Sequence, residues 1–225
     1  MKEFGTFRGD SIIANQDQIA GKGAGLYFSF TPKEREAIEI QVALSYTSVA
    51  NAYENLKAES NSFAEAKKDA QQIWNTELNK IQVKGESETD KTKFYTGLYH
   101  ALLGRGLAND VNGAYPKNDG TIGQLPLNED GTPQFSFYNT DAVWGAFWNL
   151  TQLWTLAWPE YYNDFVRTHL QIYKDTGWFC DGLANSRYVS GVGTNYVGLI
   201  IASAYNCGIR NYDTELAFVA SLKNE

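Results

Sequence analysis

Four carboxylates stand in aromatic or loop settings where a carboxylate could do chemistry: Asp110, Asp119, Asp141 and Asp181. Glycoside hydrolysis needs two such groups at a set separation across the scissile bond, one to protonate the leaving oxygen and one to activate water or attack. Sequence order does not give that separation. Plainer readings also exist. Asp141 follows Asn139 and Thr140 and opens an apolar run, where Asp is a preferred helix N-cap. Asp110 and Asp119 lie near Gly113 and Gly120, as turn residues do.

Other chemistries lack their residues. The chain has two histidines, His100 and His169. Both fall inside helical patterns, and a zinc site needs several convergent ligands. Cys180 and Cys207 are too few for a disulfide framework or a zinc cage. There is no phosphate loop, nucleophile elbow or HExxH. GKGAG at 21–25 precedes a strand pattern, and GVGTNYVG at 191–198 lacks a surrounding βαβ unit, so both read as turn glycines. Net charge is −7 with Lys and Arg scattered, which argues against a nucleic-acid partner. No apolar run of about 18 residues is present, so no membrane segment is expected. The opening MKEFGTFRGD carries no apolar leader core.

The elements that must position these groups follow from periodicity. Residues 26–30 and 38–45 alternate with period two and predict an antiparallel strand pair joined by TPKEREA. Two strands are marginal alone, and no further sheet is evident in the chain. The period then becomes helical, predicting helices over 47–59 and 62–81. Ser62 and Glu65 form a capping box. KTKFYTGLYHALLG predicts a helix ending at Gly104. Residues 105–139 read as one long loop, of the kind that often rims a functional site. DAVWGAFWNLTQLWTLAW predicts one helix, buried nearly all round because it is almost uncharged. Pro159 opens the next helix and Gly177 closes it. YVGLIIASAYNCG predicts a buried helix. A last helix starts near Asp213 with Leu216, Val219 and Leu222 inward. Five of the six tryptophans lie beyond Lys93, among 23 aromatics and only 19 charged residues in that half. That half is core, or the wall of a cavity that stacks flat faces.

Five segments, DKTKFYTGLYHALL, LANDVNGAYPKNDG, the Trp144 helix running into LAWPEYY, TGWFCDG and YVGLIIASAYNCGI, occur in an order that resembles glycoside hydrolase family 92, the α-mannosidases. The likeness covers residues 36 to 215. It implies a mainly α fold: residues 1–46 as the last strands of an N-terminal β-sandwich, 47–86 as a helical linker, and 87–225 as the first half of an (α/α)6 toroid. It implies calcium-dependent removal of terminal α-mannose from a mannose-containing glycan, with inversion, by an exported parent. It also implies that the remainder of the parent chain is missing, with the family's acid Glu and its base and calcium-associated Asp residues in later motifs. No catalytic or metal residue is therefore carried over, and calcium is expected mainly on residues outside this sequence.

One departure matters. Many members carry W-D-T-F/Y-R where this chain reads Trp144, Gly145, Ala146, Phe147, Trp148. The family's Asp, a sugar contact by the resemblance, falls on Gly145 and its Arg on Trp148. Either Asp141, one turn earlier, substitutes, or the substrate differs: another sugar on the same fold, or an aromatic binding piece without chemistry. The substrate-binding candidates are Asp141 and Trp144, one turn apart and able to point the same way, with Trp178 and Asp181 in TGWFCDG. This 225-residue chain alone is expected to be inactive.

Overall fold

The structure is a computed structural model that describes residues 2–59, 61–103, 106–140, 143–146, 148–180, 183–184, 187–188 and 195–225. The chain divides into two compact units, Met1–Ile40 and Gln41–Glu225.

The first unit is a three-stranded antiparallel sheet in the order β2-β1-β3, built from β1 (Glu3–Arg8), β2 (Ser11–Ala14) and β3 (Ala24–Ser29). Arg8 pairs with Ser11 across Gly9 and Asp10, a two-residue hairpin whose first member has φ +56°. Glycine takes that conformation without a Cβ penalty. Gly5 lies opposite Tyr27, and a Cβ there would collide with the Tyr27 ring and the Ile13 carbonyl. The expectation for 26–30 is met by β3. The expected strand over 38–45 is not formed, because alternation supplies a face but not a ladder partner. Ile40, Val42 and Leu44 instead stand exposed. The ladder beside β3 is made by β1, at the start of this sequence, where no strand was expected.

The second unit is mostly helical. It begins with α1 (Val49–Glu59), α2 (Phe63–Leu78) and α3 (Glu88–Leu102). The capping box at α2 is present: Ser62 Oγ accepts from the Glu65 amide, and the Glu65 carboxylate accepts from the Ser62 amide. Next comes β4 (Ala114–Pro116) paired with β5 (Ile122–Gln124), then α4 (Val143–Ala146), α5 (Leu150–Ala157) and α6 (Pro159–Thr176). Short β6 (Leu183–Ala184) and β7 (Arg187–Tyr188) precede α7 (Tyr196–Asn206) and α8 (Thr214–Asn224). As expected, α6 opens on Pro159 and closes on Gly177, which has φ +78°.

Three expectations are corrected here. Residues 105–139 are not structureless. They carry β4, β5 and the bridges Leu107–Tyr138 and Leu127–Pro133, and they build a second core of Ala108, Tyr115, Leu125, Phe135 and Phe137 against Ile172 and Cys180. Their turn residues and alternating apolar positions made a hairpin, not a loose loop. Among the described residues of the expected single helix there are two, α4 and α5, and they are not buried all round: Trp144, Trp148 and Leu156 are exposed. In α8 the buried residues are Ala217 and Ala220, while Val219 and Leu222 are exposed. Small side chains let α8 approach its neighbours, and the larger ones face out.

The main core forms where α5, α6, α7 and α8 pack on one another, around Trp154, Tyr162, Phe165, Val166, Ile200 and Ala204. Burial of each large apolar side chain contributes about 1.5–3 kcal/mol before chain entropy is counted. Among the described residues no helix is long and apolar enough to cross a membrane.

Candidate functional site

The aromatic residues of α5 and α6 form a continuous spine. Tyr138 packs on Tyr161 at 4.5 Å between ring centroids, Tyr161 on Trp154 at 4.9 Å, Trp154 on Phe165 at 5.1 Å, and Phe165 on His169 at 4.9 Å. The helical spacing of Tyr161, Phe165 and His169 puts all three on one face of α6. At the Tyr138 end this spine opens into a cavity of about 460 Å³, walled by Trp74, Leu102, Tyr138, Trp154, Trp158 and Tyr161. Flat aromatic faces of this kind stack on the apolar side of a ring.

The cavity holds one acid, Glu77. Its Oε2 accepts from Trp158 Nε1 at 2.6 Å and pairs with Lys80 Nζ at 2.8 Å. Burial pushes the Glu77 carboxyl up, but the hydrogen bonds from Lys80 and Trp158 and the Lys80 charge hold it below its ordinary value. Glu77 is thus an ionised anchor between α2 and the α5–α6 junction. A hydrolytic centre needs a second carboxyl with room for substrate and water between the two. Among the described residues no other Asp or Glu lines this cavity.

Asp110 is the most elaborately bonded acid. It is 3% exposed. Its Oδ2 accepts from Ser45 Oγ at 2.9 Å, from Asn51 Nδ2 at 3.1 Å and from Thr47 Oγ1, and its Oδ1 accepts from Asn55 Nδ2 at 2.7 Å. The Val111 amide donates to Asn55 Oδ1 at 3.0 Å, and Asn112 Nδ2 donates to Asn51 Oδ1 at 3.0 Å. Asp110 sits in a turn, as its neighbours suggested, since Gly113 N bonds its carbonyl. Its carboxylate, however, ties α1 to the 105–139 segment. Asp119 keeps the turn role: Thr121 donates from Oγ1 at 2.6 Å and from its amide at 2.9 Å, holding the carboxyl below its usual range.

Of the four predicted substrate contacts, Asp141 and Asp181 lie outside the described residues. Trp144 is half exposed on α4. A Cβ on neighbouring Gly145 would meet nothing within 4 Å, so packing does not dictate the glycine there. Trp178 follows the α6 cap, and the Lys223 ammonium lies 4.6 Å from its ring centroid. Neither tryptophan lines the aromatic cavity, so the structure does not join them to it. Sequence reasoning did not single out Trp74, Glu77, Tyr138 or Tyr161. The available signal was Glu77 one turn after Trp74, on the inner side of an otherwise solvated helix.

The two histidines divide. His100 is exposed, whereas His169 is fully buried, with no hydrogen-bond partner for either nitrogen among the described residues. Desolvation pushes its imidazolium down to about 3, so it is neutral at neutral pH. Calcium takes six to eight oxygen ligands. Among the described residues no three His, Cys, Asp or Glu side chains converge to hold a metal, and the Asp110 oxygens already accept from hydroxyl and amide donors. The described side chains therefore do not fit a calcium ion. Cys180 is buried and Cys207 is exposed.

Comparison with known proteins gives this arrangement its context. Residues 51–225 match the glycosyl hydrolase family 92 catalytic domain. No curated protein matches the chain. Among solved structures, the chain is similar to the family 92 inverting mannosidase of Bacteroides thetaiotaomicron VPI-5482. Identity is 22% and TM-score 0.80, over 97% of this chain and 29% of that one. It is also similar to a family 92 α-mannosidase of Bacteroides thetaiotaomicron, at 19% identity and TM-score 0.81, over 100% of this chain and 31% of that one. The latter enzyme in complex with mannoimidazole aligns at 20% identity and TM-score 0.80, over 97% and 29%. This chain thus spans less than a third of the length of these structures. With the domain match running through every described helix but the first two residues of α1, the chain belongs to glycosyl hydrolase family 92.

Proposed function

We propose that this chain is part of an exo-α-mannosidase that removes terminal α-linked mannose from glycans with inversion and with calcium. The carrying observation is the family 92 catalytic-domain match across residues 51–225. The mannosidase folds that align over nearly the whole chain support it, one of them holding mannoimidazole. In this reading residues 1–46 end a β-sandwich, 47–86 form the linker and 87–225 form half of an (α/α)6 toroid. The acid, the base and the calcium ligands are supplied by the rest of a longer parent.

The substrate contact in this reading is Asp141, with Trp144 one turn on. In the complete parent enzyme, Asp141→Asn keeps a good helix cap and so leaves the melting temperature unchanged. Losing a charged hydrogen bond to a sugar hydroxyl costs about 1.5–3 kcal/mol, so kcat/KM on an aryl α-mannoside is expected to drop about 10- to 100-fold. Wild-type kcat/KM in that variant would remove Asp141 from the site. The rival, a different sugar on the same fold, is favoured by one observation, the Gly145 that stands where many members carry Asp. An aryl α-glucoside or α-galactoside cleaved faster than the mannoside by the parent would decide for that rival.

A further inference from the structure

A second polar site lies away from the aromatic cavity. A cleft of about 410 Å³ runs between α6 and the 208–213 segment, with Phe135 and Leu170 in its floor. Arg167 and Lys174, seven residues apart on α6, line one side, and Arg210 lines the other. Each arginine is held in place before any ligand arrives. Arg167 donates to the Gln134 carbonyl at 2.9 Å and stacks 4.4 Å from the Phe135 centroid. Arg210 donates through Nε to the Tyr205 carbonyl at 3.0 Å and stacks 4.1 Å from that ring. Stacking and one backbone bond fix a guanidinium while leaving further N–H donors of its planar fork open.

Among the described residues no carboxylate lies within ion-pair distance of either fork, although the Arg167 charge acts on the Asp164 carboxyl. Every ion pair among the described residues uses a lysine, and none includes Arg167, Arg210 or Lys174. Asp213 lines the cleft, but its carboxylate caps α8 by accepting from the Leu216 amide at 2.9 Å. Glu160 and Asp164 line an adjoining cavity of about 750 Å³ that Arg167 and Arg210 also line, and Asp164 accepts from the Ser136 amide at 2.9 Å. Tyr212 also lines the cleft, and its buried hydroxyl has no hydrogen-bond partner among the described residues. Three cations therefore line one cleft, in a chain whose net charge is −7. Paired N–H donors on planar guanidinium groups match the oxygens of phosphate or carboxylate.

We propose that this cleft binds an oxyanion, a phosphate or carboxylate group of a ligand, between Arg167, Lys174 and Arg210. The inference does not depend on the mannosidase reading. The test titrates the 225-residue chain with inorganic phosphate, and separately with sodium acetate, following amide shifts by NMR against sodium chloride at equal ionic strength. Saturable shifts around residues 167–174 and 208–213 are expected with phosphate. Saturation by acetate as well assigns carboxylates to the same site. Lys174→Gln, at an exposed position that leaves the fold intact, is expected to weaken binding at least tenfold, as is Arg210→Gln. Lys57→Gln, on α1, is expected to leave it unchanged. Shifts no larger than those with chloride, or wild-type affinity in Lys174→Gln, would overturn the proposal.

Discussion

Asp110→Ala is expected to release α1 from the rest of its unit and to lower stability by roughly 2–4 kcal/mol. The reason lies in what holds that helix. None of the α1 residues is buried, and its apolar Val49 and Tyr53 are exposed. Packing therefore contributes little, and an isolated 11-residue helix is marginal in water. The Asp110 carboxylate supplies the anchor instead, through Ser45, Thr47, Asn51 and Asn55. Hydrogen bonds to a charged group contribute about 1.5–3 kcal/mol each, but these donors are only partly buried and regain water when released, which sets the lower total. Asp110→Asn keeps the shape but turns one acceptor into a donor facing donors, so a smaller loss of the same kind is expected. Hydrogen exchange reads the effect directly. Amides of α1 should lose protection while those of α6 and α7 keep theirs. Wild-type protection in α1 of the alanine variant would show that the helix is held by something else.

Acidification is expected to unfold the helical unit through His169. The imidazole is fully buried, has no partner among the described residues, and is pushed by desolvation from its ordinary 6.5 to about 3. As pH falls below about 6.5 the unfolded chain takes up a proton that the folded chain refuses until about 3. The stability tied to His169 is therefore complete above 6.5 and is lost between those values, by up to about 1.4 kcal/mol per pH unit. His169→Leu fills much of the same space with an apolar, non-titrating group. Urea unfolding at pH 7, 6, 5 and 4 should show the wild type falling more steeply than the variant, with the difference growing below pH 6. Parallel stability curves would mean that the imidazole reaches water or a partner when charged.

The sequence disclosed those parts of the fold that short-range chemistry decides. Ser62 and Glu65 announced the start of α2, and Pro159 and Gly177 bounded α6, because caps act within one turn. The hairpin from Glu3 to Ala14 was legible in hindsight from Gly9-Asp10 between its two strands, but its ladder with β3 needed partners 16 to 26 residues away. The alternation over 38–45 misled because burial of a face depends on a neighbouring strand, which no local pattern guarantees. In α8 the apolar stripe pointed to Val219 and Leu222, yet close helix approach selected Ala217 and Ala220. Asp110 showed its turn and hid its carboxylate network, since Ser45, Thr47, Asn51 and Asn55 are 55 or more residues distant. Trp74 and Glu77 joined Tyr138, Trp154 and Tyr161 only through the packing of α2 against the α5–α6 junction.

The most direct test of the mannosidase reading is proton NMR of an α-mannoside digested by the longer polypeptide that contains these 225 residues, with the 225-residue chain run alongside. Removal of a terminal α-mannose with inversion predicts β-mannose as the first sugar signal, appearing before mutarotation and suppressed by a calcium chelator, while the 225-residue chain alone releases nothing above a heat-killed control. Release of a different sugar, α-mannose as the first product, or hydrolysis by the 225-residue chain on its own would contradict it.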